Sequence, residues 1–231
     1  KSYQKMKTKE NVGVVIQARL SSQRCQNKMI RDFSGTTLID ILLTKLEKSS
    51  ISNKNIYLSI HEKELIKICE KYPFNIYKRS KASADSEGSS VTEIFEWWDK
   101  IPFQNIVMVN ACCPFLRIET IEKFYEDYLN ISNSGMFAVF KKRNYLWNDK
   151  NELITPLFES LNTKKIREIK EAAHVLYAGS LKDMGKNIWM GDLTKKNDVY
   201  LWDKVDEKEC LDIDYDWQFN MCETLYRGGF R

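Results

Sequence analysis

One stretch near the start of the chain limits the possible folds more than any other. Residues 12–16 form a short apolar run with one glycine and no charge, which is typical of a strand buried on both faces. Polar and basic residues follow at once, among them Arg19, Arg24 and Lys28. A buried strand ending in a hydroxyl-rich, cationic loop fits the carboxyl edge of a parallel sheet, facing phosphates. A solvated basic loop without a ligand explains the composition of the segment about equally well.

The rest of the chain alternates between short apolar runs and helical periodicity. The apolar runs predict further strands at residues 55–60, 74–77 and 105–109, and a return strand at 175–178. The periodic stretches predict helices at residues 38–46, 62–72, 91–100 and 117–129, with a polar loop at 83–90. Alternation of this kind predicts an α/β fold, a doubly wound and mainly parallel sheet with helices on both faces.

Composition narrows the classes of partner. The 231 residues are enough for one domain, and no apolar run approaches the roughly 20 residues that span a bilayer. The net charge of +4 is spread along the chain, which favours neither nucleic acid nor a membrane as partner. Six cysteines without regular pairing or metal-ligand spacing predict free thiols and a cytoplasmic protein. We therefore expect a single domain at residues 11–231 after a flexible segment at 1–10.

A second candidate site lies near the other end of the chain. Asp212 and Asp214 flank Ile213, so on an extended segment both carboxylates point to one face. Two neighbouring carboxylates repel each other unless a cation lies between them, and Mg²⁺ is the hard cation found beside phosphates. The alternative is that an aspartate caps a helix starting near Tyr215.

The two motifs together resemble the sugar-acid cytidylyltransferases, which are the acylneuraminate and Kdo activating enzymes and their spore-coat-polysaccharide relatives. The loop signature AR-x-x-S-(K/R)-x-x-x-K-N is matched by Ala18, Arg19, Ser22 and Lys28, and Arg24 stands where the spore-coat relatives also carry a cation. The ending D-I-D-(T/S)-x-x-(D/E) is matched by Asp212 and Asp214, with Tyr215 in place of the usual Thr. The resemblance implies the fold of the nucleotide-diphospho-sugar transferases.

The resemblance also implies roles for these residues. The loop would wrap the triphosphate of CTP, with Arg19 and Lys28 as catalytic cations that neutralise the departing pyrophosphate. Asp212 and Asp214 would hold Mg²⁺, and Asp214 is counted among the catalytic residues. Lys28, at the far end of the loop, is expected to be freer than Arg19 to close over the nucleotide.

Two further segments match the family more loosely. Arg79, Ser89 and Ser90 fall at the family spacing for recognition of cytosine and ribose, although serines before Val91 also suit a helix N-cap. Residues 109–117 resemble L-Q-P-T-S-P-L-R, with Asn110 in place of Gln as a contact for nucleotide and acceptor. The adjacent Cys112 and Cys113 are interpreted as small, half-buried fillers, since no base partner for a nucleophile is evident.

The acceptor strand departs most from the family pattern. Family members have R-x-N-G-A-(I/L)-Y where residues 171–177 read EAAHVLY, so Tyr177 matches and the Asn-Gly pair does not. His174 either contacts the acceptor or is a satisfied core histidine. Residues 136–191 are expected to form a small excursion that binds the acceptor and supports a homodimer.

The function implied is transfer of CMP from CTP to a small anionic acceptor, with release of pyrophosphate. The acceptor would be a sialic-acid-like or other sugar acid, activated for surface polysaccharide or glycan synthesis. One alternative is a non-sugar acceptor such as a phosphonate or an alcohol phosphate. Another is a non-catalytic nucleotide-binding domain, which the pair of repelling aspartates disfavours.

Overall fold

One seven-stranded sheet organises the residues that the computed structural model describes, namely 6–85, 90–155 and 163–230. Its strand order is β3–β2–β1–β4–β6–β5–β7. The strands are β1 Val12–Gln17, β2 Ile56–Ile60, β3 Asn75–Lys78, β4 Asn105–Val109, β5 Gly135–Lys142, β6 Ile169–Ser180 and β7 Val199–Trp202. Only β6 runs antiparallel to its neighbours within the described residues. The predicted fold class, a mainly parallel α/β sheet, is confirmed.

The central strand β1 is buried on both faces, as its apolar run predicts. Val14 and Ile16 pack into the larger core on one face, while Val15 between them packs with Trp97 on the other. This alternation follows from the two-residue period of a strand. The sheet is therefore the middle layer of the fold.

Helices cover the two faces unequally. The larger core receives side chains from α1 Leu38–Glu47, α2 Lys63–Cys69, α5 Ile118–Asn130 and α6 Asp216–Arg227. On the other face lie shorter pieces, among them α4 Val91–Ile94, preceded by α3 Lys81–Ala84, and the 3-10 segment Leu181–Lys186. No helix in the described ranges is long and apolar enough to cross a bilayer.

The prediction of a helix at residues 91–100 is wrong beyond Ile94, where α4 ends. Phe95 leaves the helical region, with φ −106° and ψ 45°, and the chain continues in turns. This departure lets Trp97, which is 1% exposed, enter the smaller core. The predicted polar loop at 83–90 likewise starts later, because α3 extends to Ala84.

The predicted return strand at 175–178 is longer, Ile169–Ser180, and contains a bulge. Its pairing with β5 shifts register between Phe137 and Val139, opposite the segment that contains His174. His174 adopts a left-handed backbone conformation with φ 54°. β5 and β6 belong to the main sheet, so the predicted excursion at 136–191 is not a unit separate from that sheet. The residues that connect β5 to β6, 143–168, lie outside those two strands.

Two glycines let a segment of the chain lie directly on β5 and β6. A Cβ atom at Gly135 would lie 1.6 Å from the carbonyl oxygen of Met190, and one at Gly179 1.9 Å from that of Trp189. Only glycine permits so close an approach between backbones. Trp189 is thereby seated in the smaller core, beneath the antiparallel part of the sheet.

Candidate active site

Two adjoining cavities open at the carboxyl edge of the parallel strands. One, of about 370 Å³, is lined by the basic loop after β1, including Ser22, Arg24 and Lys28, and by Asp214. The other, of about 400 Å³, is lined by residues that include Arg79, Asn110 and Tyr177. Gln17 and Arg19 line both, so the cavities form a continuous site. The structure thus brings together the first and last sequence motifs.

Lys28 is buried at the base of the loop, with 8% of its surface exposed. Its Nζ donates to the carbonyl oxygen of Ile213 and lies 3.4 Å from Oδ1 of Asp214. The expectation that Lys28 is freer than Arg19 is therefore wrong in this structure. Burial acts to lower the pKa of Lys28, but Cys112 and the nearby carboxylates outweigh it, and the net pKa is raised. The ammonium group therefore stays protonated beside the acidic segment, which comprises Asp212, Ile213 and Asp214.

Arg24 approaches the same carboxylate from the solvent side. Its guanidinium lies 3.0 Å from Oδ1 of Asp214 and 5.0 Å from the centre of the Tyr215 ring. Tyr215, which replaces the usual Thr, therefore supplies a stacking surface for a loop cation. Asp214 lies between two cations of the basic loop.

The amide groups in and next to the acidic segment donate hydrogen bonds to two different parts of the chain. Ile213 N–H donates to the carbonyl oxygen of Cys112 (3.0 Å), and the Ile213 side chain is fully buried. The side-chain oxygen of Gln218 accepts from the amides of Asp214 and Tyr215, at 2.8 Å each. That oxygen, rather than an aspartate, satisfies the amides before α6, so the capping alternative is not what the structure shows.

Asp212 has the features of an unfilled cation ligand. Its Oδ1 is buried and has no hydrogen-bond partner among the described residues, while Oδ2 accepts from Asn110 at 3.3 Å. Burial, and then the charge of Asp214, raise the pKa of Asp212. An orphaned carboxylate oxygen beside a second carboxylate fits Mg²⁺, which prefers oxygen ligands. Within the described ranges no three His, Cys, Asp or Glu side chains cluster to hold a metal, so phosphates and water would complete its coordination.

Two arginines connect the basic loop to the segment around α3. Arg19 donates to the carbonyl oxygen of Asp85 at 2.8 Å. Arg79 is 4% exposed and donates to the carbonyl oxygens of Ala18 (2.7 Å) and Ser83 (3.2 Å). Burial lowers the pKa of Arg79 to about 10, so it remains charged at neutral pH. Arg79 shapes the junction of the two cavities through main-chain contacts, in addition to lining one of them.

The serines predicted to bind nucleotide differ in their placement. Ser22 lines the loop cavity. Ser90 is exposed, and its hydroxyl accepts from the amide of Glu93 at 3.3 Å, as a helix N-cap does. Ser89 lies outside the described residues. A nucleotide contact for Ser22, Ser89 and Ser90 stays a prediction.

Cys112 and Cys113 behave as fillers in this structure. Burial raises the pKa of Cys112 to about 11 and that of Cys113 well above its ordinary value. Both are therefore neutral thiols near pH 7, which disfavours a nucleophilic role.

The acceptor residues predicted from the sequence meet at one place. Asn110 donates to the carbonyl oxygen of His174 at 2.9 Å, and Nδ1 of His174 lies 3.1 Å from the Tyr177 hydroxyl. His174 is exposed, so the alternative of a core histidine is wrong. A left-handed backbone in a non-glycine residue at a bulge is costly and is commonly found at functional sites.

Several supporting residues carry no signal in the sequence. Glu62 accepts from the amide of Leu20 (2.8 Å) at the start of the basic loop. Buried Glu209 accepts from the backbone and guanidinium of Arg117, which anchors the turn before Asp212. These residues act through contacts distant in sequence, which no local pattern reveals.

The sequence and fold agree on one family. A family profile described as Cytidylyltransferase matches residues 13–186, more than half of the chain. The chain belongs to the cytidylyltransferase family, and so to the nucleotidyltransferases that use CTP. Asp212 and Asp214 lie beyond the matched residues, so their placement comes from the structure and the motif. No curated protein matches the sequence at a significant level.

Solved structures support the same fold. The chain is similar to a CMP:2-keto-3-deoxy-manno-octonic acid synthetase complexed with CTP, with 11% identity, TM-score 0.67, and coverage of 95% of this chain and 99% of that one. It is also similar to 4-diphosphocytidyl-2C-methyl-D-erythritol synthase from Anaerococcus prevotii DSM 20548, with 15% identity, TM-score 0.65, and coverage of 95% and 100%. A cytidylyltransferase from Leptospira borgpetersenii serovar Hardjo-bovis (strain JB197) shows 15% identity, TM-score 0.64, and coverage of 94% and 87%. At these identities the likeness establishes the fold alone.

Proposed function

We propose that this protein transfers CMP from CTP to a hydroxyl group of a small anionic acceptor, a sialic-acid-like or other sugar acid, and releases pyrophosphate. The observation that carries the proposal is the pair of aspartates opposite the basic loop. Lys28 and Arg24 meet Asp214 there, beside the orphaned oxygen of Asp212. Cations for a triphosphate thus face oxygen ligands for its metal across one cavity.

The chemistry needs no covalent intermediate on the enzyme. The acceptor oxygen forms a bond to the α-phosphorus, the bond from that phosphorus to the bridging β-phosphate oxygen breaks to release pyrophosphate, and the hydroxyl proton passes to water. Arg19 and Arg24 bind and orient the triphosphate, and Lys28 offsets the charge that grows on the departing pyrophosphate. Asp212 and Asp214 would hold Mg²⁺, which when bound lowers the pKa of the attacking hydroxyl and screens phosphate charge.

The second cavity suits the nucleoside and the acceptor. We assign the base to the side near Arg79 and Ser83, and the acceptor to the side of Asn110, His174 and Tyr177. Arg79 would act on the base mainly by holding the carbonyls of Ala18 and Ser83 in place.

A non-sugar acceptor, such as a phosphonate or an alcohol phosphate, is the second candidate. The observation that favours it is the acceptor strand, where Glu171 stands in place of the family arginine and His174 in place of the glycine. Glu171 is already paired with Lys142 at 3.1 Å. This strand therefore presents no free arginine to a carboxylate.

We extend the proposal to a homodimer and to a cytoplasmic role in surface polysaccharide or glycan synthesis. The segment between β5 and β6 exposes three large apolar side chains, Leu146 (41%), Trp147 (59%) and Ile154 (63%), and exposed apolar patches mark interaction sites. A second copy of the chain packed there would cover these side chains. The molar mass in solution, measured by light scattering, tests this point.

The deciding experiment measures pyrophosphate release with each of the four NTPs and a panel of acceptors. We expect release with CTP well ahead of UTP, ATP and GTP, and only when a sugar acid is present. Release with a phosphonate or alcohol phosphate instead would establish the second candidate. Equal thermal shifts with all four NTPs would contradict the assignment of cytosine recognition to the Arg79 side.

A further inference from the structure

Gln17, the last residue of β1, lies at the junction of the two cavities. We infer that its side-chain nitrogen donates a hydrogen bond to CTP between the base and the β-phosphate, at the ribose or the α-phosphate. The inference rests on the proposed placement of CTP across both cavities. It adds a nucleotide-binding residue that neither family motif includes.

The orientation of the Gln17 amide is fixed by its neighbours. Its Oε1 lies 2.9 Å from Nε1 of Trp97 and 3.3 Å from Oγ of Ser59. An indole N–H only donates, so the amide atom facing it must be the oxygen. The amide nitrogen is then directed away from Trp97 and Ser59, with two hydrogens to donate.

No protein acceptor within the described ranges bonds that nitrogen. Gln17 is half-buried, and a donor left without a partner in such a place costs free energy unless water or a ligand binds it. Three chain segments, β1, β2 and the turn after α4, converge to hold this one amide. Gln17 lines both cavities, and its amide oxygen is already bonded to Trp97 and Ser59. The amide nitrogen is therefore the polar atom of this side chain that is available to a ligand in the cavities.

The position of Gln17 indicates which part of the nucleotide it meets. Arg24 and Lys28 line only the loop cavity, where the β- and γ-phosphates would lie. Arg79 and Ser83 line only the other cavity, on the side assigned to the base. A nucleotide spanning both must pass Gln17 with its ribose and α-phosphate, and these groups offer oxygen acceptors.

Two substitutions test the contact by direct CTP binding, measured by calorimetry without acceptor. Gln17→Met keeps the length of the side chain and removes the donors, so we expect binding weaker by roughly tenfold. Gln17→Glu keeps an acceptor for Trp97 and Ser59 but turns a carboxylate oxygen towards the nucleotide, so its loss should be larger. Gln104→Met, at an exposed position before β4, is the matched control and should bind as wild type.

A double-mutant cycle tests the role of Trp97 as a positioning residue. Trp97→Phe frees the amide to rotate and should weaken CTP binding by less than Gln17→Met does. If Trp97 acts through Gln17, the double variant binds no more weakly than Gln17→Met alone. Additive losses would overturn this part of the inference. Should Trp97→Phe fail to fold, Ser59→Ala gives the same cycle with a smaller change.

A comparison of CTP with 2′-deoxyCTP separates the two oxygens. If Gln17 binds the ribose 2′-hydroxyl, the effect of Gln17→Met disappears with the deoxynucleotide. If the effect persists, Gln17 binds the α-phosphate or the 3′-hydroxyl, and 3′-deoxyCTP distinguishes these two. Wild-type protein that fails to bind CTP would contradict the proposed function, whereas wild-type binding matched by Gln17→Met would overturn the inference alone.

Discussion

The two halves of the sheet hold their site residues in different ways. In the parallel half, Arg19, Lys28 and Arg79 each donate to a main-chain carbonyl oxygen of a distant segment. In the antiparallel half, the His174 side chain is exposed at a bulge, and Lys142 forms surface ion pairs with Glu171 (3.1 Å) and Glu207 (3.3 Å). Surface pairs of this kind contribute little stability.

The difference shows where each specificity resides. A main-chain carbonyl keeps its position when the side chain of its own residue changes, so the nucleotide side is a fixed frame. The acceptor side is built from side chains, the exposed His174 and the partly buried Asn110 and Tyr177, so its specificity changes when these residues change. Substitutions in the two halves should therefore change different kinetic constants.

The largest effect is expected at Asp214, which faces the basic loop of the parallel half. Asp214→Asn keeps the shape of the side chain and removes a charge proposed to hold Mg²⁺, so turnover should fall by at least about a hundredfold. CTP affinity and the fold should be largely retained. Steady-state turnover with calorimetric CTP binding measures both. Asp216→Asn, at the exposed start of α6, is the control, and an Asp214→Asn variant with more than about a tenth of wild-type turnover contradicts the role.

Smaller effects are expected when Arg19 or Lys28 of the basic loop is replaced, and the two replacements should change different kinetic constants. Arg19→Ala should raise KM for CTP and lower turnover together, by roughly tenfold each, because a planar guanidinium grips the ground-state phosphate. Lys28→Met should mainly lower turnover, since the charge that it meets grows as pyrophosphate leaves.

Steady-state kinetics with CTP varied at saturating acceptor separates the two outcomes. Lys63→Met, on the exposed side of α2, serves as the control for loss of a lysine. A Lys28→Met variant with raised KM and unchanged turnover would show that Lys28 is only a docking charge.

On the acceptor side, His174→Gly should raise KM for the acceptor several-fold and leave KM for CTP unchanged. Glycine accepts the φ of 54° without strain, so the free energy of unfolding should change by no more than about 1 kcal/mol. Tyr177→Phe, which removes only the hydroxyl partner, should show a weaker form of the same effect. Equal increases in KM for CTP and KM for the acceptor would contradict the proposal that the two halves of the sheet bind different substrates.

The smallest effect on activity is expected at Asp127, which joins α5 to β7 in the antiparallel half. Burial opposes ionisation, but Lys123, Lys204 and Trp202 outweigh it and lower the pKa of Asp127 to about 2. A lowered carboxylate pKa stabilises the fold above the unfolded value of 3.8 and loses this contribution as the pH falls towards 2. Because solvent screens the exposed lysine partners, Asp127→Asn should cost about 1 kcal/mol at pH 7.

Denaturant unfolding from pH 7 down to pH 3 measures this contribution. The difference between wild type and Asp127→Asn should shrink below pH 4, and KM for CTP should stay constant. Asp99→Asn, at an exposed aspartate, should show no such trend. A difference that does not depend on pH would mean that packing, rather than charge, is lost.

The sequence predicted the parallel half well, because three of its strands, β1, β2 and β4, are largely buried apolar runs. It did not predict β7, a four-residue strand at the sheet edge in which only the first and last residues are buried. The length of α4 was also wrong, because the aromatic residues after Ile94 serve the smaller core rather than a helix. Helical spacing alone does not distinguish these two fates.

The same limit applies to the site. That the basic loop and the two aspartates share one site followed from the resemblance of both motifs to one family, and the cavity lined by Lys28 and Asp214 agrees with it. The burial of Lys28 did not follow from the sequence, because it depends on Ile213 and Cys112, which no spacing rule connects to the loop. Gln17 was missed for the same reason: its partners Trp97 and Ser59 come from other strands and turns.

The contact of Lys28 with Ile213 joins residues 185 positions apart and so sets the order in which the protein becomes competent. The strands of the sheet end at Trp202, so they are all synthesised before the acidic segment emerges. Until then the Lys28 ammonium has neither the Ile213 carbonyl nor Asp214 as a partner. Lys28 can therefore meet these partners only once the segment 212–214 has been synthesised and has packed against the sheet.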